Sequence, residues 1–285
     1  MAAATVRRVA TRVPCADGLS MGLDIYGAEG ASAPLPVTVV CHGFKGFKDW
    51  GFFPPLAERL AARGRALAVF DFSHNGIGDR PGEFDRLDLF ARQTLTRHVQ
   101  DLGAVLDFLD GADITREANL QRARHFNVVG HSFGGAVAVL RAAEDARITQ
   151  VTTLNGVAEL QRFSPEQVAE GRRTGKIAVK NQRTGQDMPV DVGFLDDAAR
   201  HDLEGAATQI FVPALVIQGE ADPGVTPAEG RQLNEWIPGS RLVLVPGADH
   251  VFGARHPFAG WTPALEQVAR ELDAFLPHVG RLGGI

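Results

Sequence analysis

The sequence predicts an α/β fold with a mostly parallel, doubly wound sheet of eight strands, because short apolar strands alternate with amphipathic helices along the chain. Residues 35–41, 66–72 and 126–129 are apolar runs of the kind found in buried parallel strands. Apolar side chains between residues 95 and 109 recur every three or four positions, which is typical of one helix face. An Asp-Gly pair at residues 17–18 separates two alternating runs, so we expect an antiparallel hairpin at one sheet edge.

Composition and charge limit the kinds of protein that this chain can be. Its 285 residues are 45% hydrophobic, which supports a large core. No stretch approaches the ~20 apolar residues of a membrane helix, and residues 1–14 lack the apolar core of a secretory signal. A net charge of −5 argues against a nucleic-acid partner. Two cysteines, Cys15 and Cys41, are too few for a disulfide framework, so we expect a cytoplasmic protein without a membrane partner.

The strongest motif is the Gly-x-Ser-x-Gly sequence from Gly130 to Gly134, which follows an apolar strand and precedes a helix of small residues. In this setting the serine occupies a tight, strained turn that exposes its Oγ above the sheet. The flanking glycines approach each other too closely for a larger side chain. With 32 glycines in the chain, a chance match is common, but the strand and the helix supply the required context. The motif predicts that Ser132 is a nucleophile.

A serine nucleophile needs a base, and the base needs an acid that orients it. In folds of this kind the chain order is serine, acid and histidine, with the acid and the histidine on loops after late strands. Asp222 follows an apolar strand and a glycine, and His250 follows the next strand along the chain. The sequence therefore predicts Asp222 as the acid and His250 as the general base.

Other residues compete weakly for these two roles. Glu220 lies two positions before Asp222, and Asp249 directly precedes His250, where neighbouring side chains on a loop seldom hydrogen-bond well. His131 lies inside the serine motif, but its side chain is expected to point away from Ser132. His256 and His278 follow the last strand at a greater distance and are more typical of surface or helix-flanking histidines.

A His-Gly turn at residues 42–43 ends the first central strand and predicts an oxyanion hole. We expect the backbone amides of Phe44 and Phe133 to be its donors, with His42 shaping the loop. Phe47 and Trp50 on the same loop, and Val251 after the base, are expected to contact the substrate.

Two lysines on that loop, Lys45 and Lys48, admit two interpretations. In the more common interpretation, both lysines lie on a turn that faces solvent. The other is a contact between a lysine and an anionic or aromatic acyl group.

Residues 158–208 do not follow the strand–helix alternation, because they are polar, carry Gly171, Gly175 and Gly185, and lack a clear buried strand. A segment of that length inside a compact domain is usually a functional insertion. We expect residues 158–208 to form a small cap on a core made of residues 1–157 and 209–285.

Taken together, the motifs at residues 42–43, 71–76, 130–134, 219–222 and 247–250 resemble those of the bacterial α/β-hydrolases. The chain is most similar to the feruloyl/cinnamoyl esterase-like and dipeptidyl-peptidase-like branch, which includes the prolyl oligopeptidase C-terminal domain. The resemblance implies the α/β-hydrolase fold with a cap. In cinnamoyl esterases a small insertion between the sixth and seventh strands builds the acyl pocket, and this chain has an insertion of comparable placement.

The expected reaction is cleavage of a small-molecule carboxylic ester through an acyl-enzyme, by a monomer or homodimer. No cofactor is needed, and no metal is expected because the histidines are scattered and no HExxH or CxxC motif occurs. Fold alone does not determine function, so alternatives stay open: an amidase or aminopeptidase on short peptides, a lyase or cofactor-free peroxidase that uses the same triad, or a binding protein without turnover.

Overall fold

The central feature of the computed structural model, which describes residues 4–29, 36–80, 82–111 and 124–277, is one eight-stranded sheet. Two further strands pair only with each other. The ten strands are β1 (Val6–Pro14), β2 (Ser20–Ala28), β3 (Val37–Cys41), β4 (Ala66–Phe70), β5 (Phe126–His131), β6 (Ile148–Leu154), β7 (Lys176–Lys180), β8 (Asp187–Asp191), β9 (Ala214–Gly219) and β10 (Arg241–Val245). The order in the large sheet is β1-β2-β4-β3-β5-β6-β9-β10. This confirms the predicted α/β architecture.

The expected hairpin forms one edge of the sheet. β1 and β2 pair antiparallel, with Val6 opposite Ala28 and Pro14 opposite Ser20. Gly18 in the connecting turn adopts a φ of 79°, which glycine tolerates without strain. β2 is antiparallel to β4, whereas β4, β3, β5, β6, β9 and β10 are mutually parallel. Leu35, placed in the third strand on sequence grounds, lies outside the described residues.

Helices cover both faces of the sheet. The described helices are α1 (Phe53–Ala61), α2 (Leu87–Ala91), α3 (Leu95–Gly111), α4 (Phe133–Glu144), α5 (Pro165–Thr174), α6 (Gly193–Ala198), α7 (Leu203–Thr208), α8 (Pro227–Trp236) and α9 (Pro263–Phe275). α1 and α9 pack on one face, and α3 and α4 pack on the other. Side chains cap the starts of α8 and α9, because Thr262 accepts from the amide of Leu265 and Glu229 accepts from that of Thr226. None of the helices described is both long and apolar enough to cross a bilayer.

Parallel strands bring their carboxyl ends to the same sheet edge, where the connecting loops can build a site. Alternate residues of the central strands point to opposite faces, so both faces of β3 and β5 are buried. In β5, Val128 packs on the side of α3 and α4, and Val129 packs on the side of α1. The residues that follow β3, β5, β6, β9 and β10 therefore meet at one edge.

The segment 158–208, called the insert below, lies between β6 and β9 and contains α5, the β7–β8 hairpin, α6 and α7. The expectation of no clear buried strand there was wrong. β7 and β8 are short strands whose exposed residues alternate with buried Ile177, Met188 and Val190, so a polar composition conceals them. These buried side chains join the same apolar core as the sheet.

The packing of the hairpin predicts the effect of shortening one of its core residues. Met188 is fully buried, so Met188→Ala is expected to lower the free energy of unfolding by ~2–5 kcal/mol. Urea denaturation of the variant and the parent measures the difference. The matched control is Asp187→Ala, which changes an exposed neighbour and is expected to stay within ~0.5 kcal/mol. Equal effects of the two substitutions would show that the hairpin does not pack on the core in solution.

Candidate active site

Ser132 occupies a strained turn between β5 and α4. Its backbone has φ 55° and ψ −122°, a left-handed conformation that costs free energy in a residue other than glycine. The surrounding chain holds it there: the Ser132 amide donates to the Leu154 carbonyl at 3.0 Å, and the Ser132 carbonyl accepts from the amides of Gly135 and Val157. The turn directs the serine hydroxyl away from the core and toward the loops at the sheet edge.

The two motif glycines are required by close backbone contacts. A Cβ on Gly130 would overlap the carbonyl group of Gly134. A Cβ on Gly134 would lie 2.5 Å from the carbonyl oxygens of Cys41 and His42, at the end of β3. The absence of side chains therefore lets the start of α4 pack directly on both β5 and the loop after β3.

Ser132, His250 and Asp222 form a hydrogen-bonded chain. His250 Nε2 lies 3.0 Å from Ser132 Oγ, and His250 Nδ1 lies 2.7 Å from Asp222 Oδ2. With Nδ1 protonated, His250 donates to the carboxylate and accepts from the serine hydroxyl. In this arrangement Nε2 can remove the proton of Ser132 while the carboxylate holds the tautomer. The structure thus brings together the three residues that the sequence predicts.

The environment of Asp222 favours its ionised form. The carboxyl group is buried, and its Oδ1 accepts from the amides of Gly224 (2.8 Å) and Val225 (2.9 Å). Burial acts to raise the pKa of Asp222, but the hydrogen bonds from His250 and these amides outweigh it and hold the pKa below its ordinary value. Asp222 is therefore a carboxylate at neutral pH and can stabilise a protonated His250.

The competing acids lie elsewhere. Glu220 is exposed and is not part of the chain that joins Asp222 to Ser132. Asp249 is also exposed, and its Oδ1 accepts from the amides of Val251 (3.1 Å) and Gly253 (2.7 Å). Asp249 thus shapes the loop that carries His250.

The competing histidines hold backbone groups. His131 is buried, and its Nε2 lies 2.9 Å from the carbonyl oxygen of His250. Burial and the nearby His250 lower the pKa of His131 to about 3, so its ring is neutral and can donate this bond. His256 accepts from the amide of Gly51 at 3.0 Å, away from the triad. His278 lies outside the described residues.

Asn155 connects the loops that carry the acid and the base. It follows β6, is fully buried and has φ 46°. Its Nδ2 donates to the carbonyls of Asp249 (3.2 Å) and His250 (2.9 Å), and its Oδ1 accepts from the amide of Gly219 at 2.6 Å. One amide side chain therefore fixes the end of β9 against the His250 loop. The sequence interpretation missed Asn155, although a polar residue directly after a buried strand at this sheet edge was a usable signal.

The loop after β3 lies against the nucleophile. A Cβ on Gly43 would be 2.8 Å from Ser132 Cβ, so the backbone passes directly beside the serine. His42 is buried, its Nδ1 donates to the Gly43 carbonyl (2.9 Å), and its Nε2 accepts from the Phe72 amide (3.3 Å). Burial lowers the pKa of His42 to about 4, in keeping with a neutral ring that shapes the loop.

The amides of Phe44 and Phe133 flank Ser132, one on each of the two segments that meet there. Neither amide donates a hydrogen bond to the residues that the structure describes. Phe133 opens α4, where unpaired amides and the helix dipole favour negative charge. Both amides are thus free to donate to an oxygen that develops charge beside Ser132 Oγ.

A cleft of about 350 Å³ opens onto Ser132 and His250. Most of its wall is apolar, and residues of the insert form much of one side. Its other lining residues are Phe44, Lys45, Phe133, Val157, Leu160, Arg162, Phe163, Gln167, Val179, Phe194, Gly224 and Val225. The volume is in the range of ordinary small-molecule sites.

A family model described as the alpha/beta hydrolase family matches residues 38–264, which is most of the chain. The chain belongs to the alpha/beta hydrolase family. Among curated proteins, none matches its sequence.

Solved structures with the same fold as this hydrolase include three with informative descriptions. Est1E from Butyrivibrio proteoclasticus with ferulic acid bound is 20% identical, with a TM-score of 0.71, over 93% of this chain and 97% of that chain. The dienelactone hydrolase from Anabaena variabilis is 18% identical (TM-score 0.63; 95% and 96% covered). GrgF, an alpha/beta hydrolase from Penicillium sp., is 18% identical (TM-score 0.69; 94% and 97% covered).

The substrate contacts predicted for Phe47, Trp50 and Val251 require correction, because none of the three lines the cleft of this hydrolase. Phe47 is buried against Phe84, and the rings of Phe47 and Trp50 both contact His256. Val251 packs on the apolar core near α1 and α9. Position next to a motif did not reveal which way these side chains point.

A large part of the cleft wall was missed because it comes from the insert. Leu160 and Phe163 precede α5, Val179 lies on β7 and Phe194 lies on α6. Their assembly depends on how the β7–β8 hairpin and α6 pack on the sheet, which local sequence patterns do not specify. In the described residues, no three histidine, cysteine or acidic side chains are grouped so that they could hold a metal ion.

The contacts of Asn155 predict that its loss slows the chemistry of Ser132. Asn155→Ala removes the link between the Gly219 and His250 backbones, so the reaction of Ser132 with a fluorophosphonate is expected to slow roughly 100-fold. The second-order labelling rate measures this effect. Asn155→Ser, which keeps a shorter polar group, should recover part of the rate if Asn155 positions the loops.

A matched control for this substitution is Thr153→Val on the same strand. Thr153 is equally buried, and its hydroxyl has no partner among the described residues, so this isosteric change leaves the loops untouched. Its labelling rate should equal that of the parent. A labelling rate in Asn155→Ala that also equals the parent rate would contradict the positioning role.

Proposed function

We propose that this protein is a serine hydrolase that cleaves carboxylic esters through an acyl-enzyme intermediate. The observation that carries the proposal is the chain of short hydrogen bonds from Asp222 through His250 to the hydroxyl of Ser132 on its strained turn. A serine hydroxyl is a weak nucleophile without such a base. The unpaired amides at the same point supply the second requirement, a place for the oxyanion.

Acylation begins when the substrate carbonyl carbon lies against Ser132 Oγ. His250 Nε2 accepts the hydroxyl proton as Oγ forms its bond to the carbonyl carbon, and Asp222 stabilises the imidazolium that results. The carbonyl oxygen takes the negative charge and accepts from the amides of Phe44 and Phe133. The C–O bond to the alcohol then breaks, and the imidazolium gives its proton to the departing oxygen.

Deacylation reverses these proton transfers with water as the nucleophile. His250 removes a proton from the water as its oxygen attacks the acyl carbon, and the second oxyanion uses the same two amides. Collapse of this intermediate returns the proton to Ser132 Oγ and releases a carboxylic acid. The enzyme is then unchanged, and one water has been consumed for each ester cleaved.

The charge of the cleft favours an ester over a peptide with a free amino terminus. An aminopeptidase needs an acidic group to bind the substrate ammonium, but no aspartate or glutamate is among the described residues that line the cleft. The printed descriptions of structural neighbours, an enzyme with bound ferulic acid and a dienelactone hydrolase, support ester or lactone chemistry. In this proposal the insert acts as a cap whose apolar residues contact the acyl group.

The role of the nucleophile is tested with a panel of p-nitrophenyl esters, from acetate to long-chain acids, with methyl ferulate and aminoacyl p-nitroanilides alongside. Wild type is expected to release nitrophenol, and Ser132→Ala is expected to reduce turnover to background, because the acyl acceptor is gone. Turnover of the anilides alone would replace the esterase proposal with a peptidase. Equal ester turnover in wild type and Ser132→Ala would contradict the acyl-enzyme route.

The role of the acid predicts the effect of an isosteric change. Asp222→Asn keeps the size of the side chain but removes the charge and favours the wrong tautomer of His250, so kcat is expected to fall roughly 10⁴-fold. The Glu220→Gln variant is the control and should keep the parent rate, because Glu220 is exposed and outside the hydrogen-bonded chain. Similar losses in both variants would contradict the assignment of Asp222.

A further inference from the structure

Lys45 presents an ammonium group in the cleft beside the nucleophile. It follows Phe44 on the loop after β3 and has φ 59°. Lys45 lines the same cleft as Ser132 and His250. Its side chain is therefore placed where a bound substrate passes.

The hydrogen bonds of Lys45 leave most of its donors unused. Nζ donates to the carbonyl of Lys180 on β7 at 3.1 Å and lies 5.9 Å from the centre of the Phe44 ring. An ammonium group has three donors, so two remain for a ligand or for water. Burial lowers the pKa of Lys45 below its ordinary value, and no acidic group of the described chain offsets this.

Two other cations in this region, Arg162 and Lys48, have carboxylate partners. Arg162, which also lines the cleft, pairs with Glu229 at 2.7 Å and donates to the Gly224 carbonyl. Lys48, on the same loop as Lys45, pairs with Asp24 at 2.6 Å. Among the residues that the structure describes, Lys45 forms no ion pair, and no carboxylate lines the cleft with it. The cleft thus holds a positive charge that the described chain does not balance.

We propose that the substrate of this cleft is an ester that carries a carboxylate, and that Lys45 Nζ binds that carboxylate. The inference rests on the proposed function and specifies its substrate class. A charge-assisted hydrogen bond from a half-buried ammonium to a carboxylate is stronger than one between neutral groups. The carboxylate can belong to the acyl part or to the alcohol part of the ester, and both positions are tested below.

A purely structural role for Lys45 makes a different prediction. The bond to the Lys180 carbonyl joins the loop after β3 to the insert, so its loss can loosen the cleft. Such loosening affects a neutral and an anionic ester alike, whereas loss of a carboxylate contact affects only the anionic ester. The comparison of matched substrates therefore separates the two roles.

The experiment compares kcat/KM for two pairs of esters that differ only in charge. The acyl pair is the mono-p-nitrophenyl ester of adipic acid and that of adipic monoamide. The alcohol pair is the butyrate of p-hydroxybenzoic acid and that of p-hydroxybenzamide. Lys45→Met is expected to lower kcat/KM roughly 10- to 100-fold for the anionic member of one pair, mainly through KM, and to change the neutral member less than about twofold.

Two further variants sharpen this result. Lys45→Arg keeps the charge and is expected to retain most of the preference for the anionic ester. Lys180→Met removes an exposed charge near the cleft but keeps the carbonyl that Lys45 uses, so it should leave both pairs unchanged. Equal effects of Lys45→Met on the anionic and neutral members of both pairs would overturn the proposal, while the esterase activity itself would stand.

A binding measurement decides the case in which none of these esters is cleaved. The proposed function would then fail. The quantity measured is instead the rate at which a small alkyl fluorophosphonate labels Ser132, with and without a bound anion. Adipate or p-hydroxybenzoate should slow labelling of wild type and have no effect on Lys45→Met. Failure of both anions to protect wild type would overturn the inference about the carboxylate.

Discussion

The strained backbone of Ser132 is the constraint on which the arrangement of the site depends. A left-handed serine persists only when its surroundings determine it, and here hydrogen bonds from β6 and α4 hold it in place. The same turn requires the start of α4 to lie against β5 and the loop after β3, with glycine at both close contacts. Ser132 and the neighbouring amides of Phe44 and Phe133 are therefore positioned together when these segments pack.

Buried polar groups then align the loops that bring the acid and the base to this turn. The carbonyl of His250 accepts from both His131 and Asn155, and Asn155 also accepts from the end of β9. Inside a protein each of these bonds is costly to break, because the partner left behind is out of contact with water. The network gives His250 a fixed backbone although its imidazole is half-exposed to the cleft.

The sequence was sufficient to predict the sheet and to predict that Ser132, Asp222 and His250 lie together, because each feature is local. Strand runs, the Gly-x-Ser-x-Gly turn and residues at strand ends have positions that the parallel topology determines. The cleft wall was not predictable in the same way. Phe47 and Trp50 were assigned to it from proximity in sequence, but both rings contact His256 and neither lines the cleft. The insert contributes residues through tertiary packing, which no short pattern records.

The central claim is that His250 activates Ser132, and the most direct test is to map the adduct of a fluorophosphonate by peptide mass spectrometry. The account predicts one phosphonyl group per chain, attached to Ser132 in the wild type and formed orders of magnitude more slowly in His250→Ala. An adduct on another residue would contradict the account. Labelling of Ser132 at the same rate in His250→Ala would contradict it equally, because the serine would then react without its base.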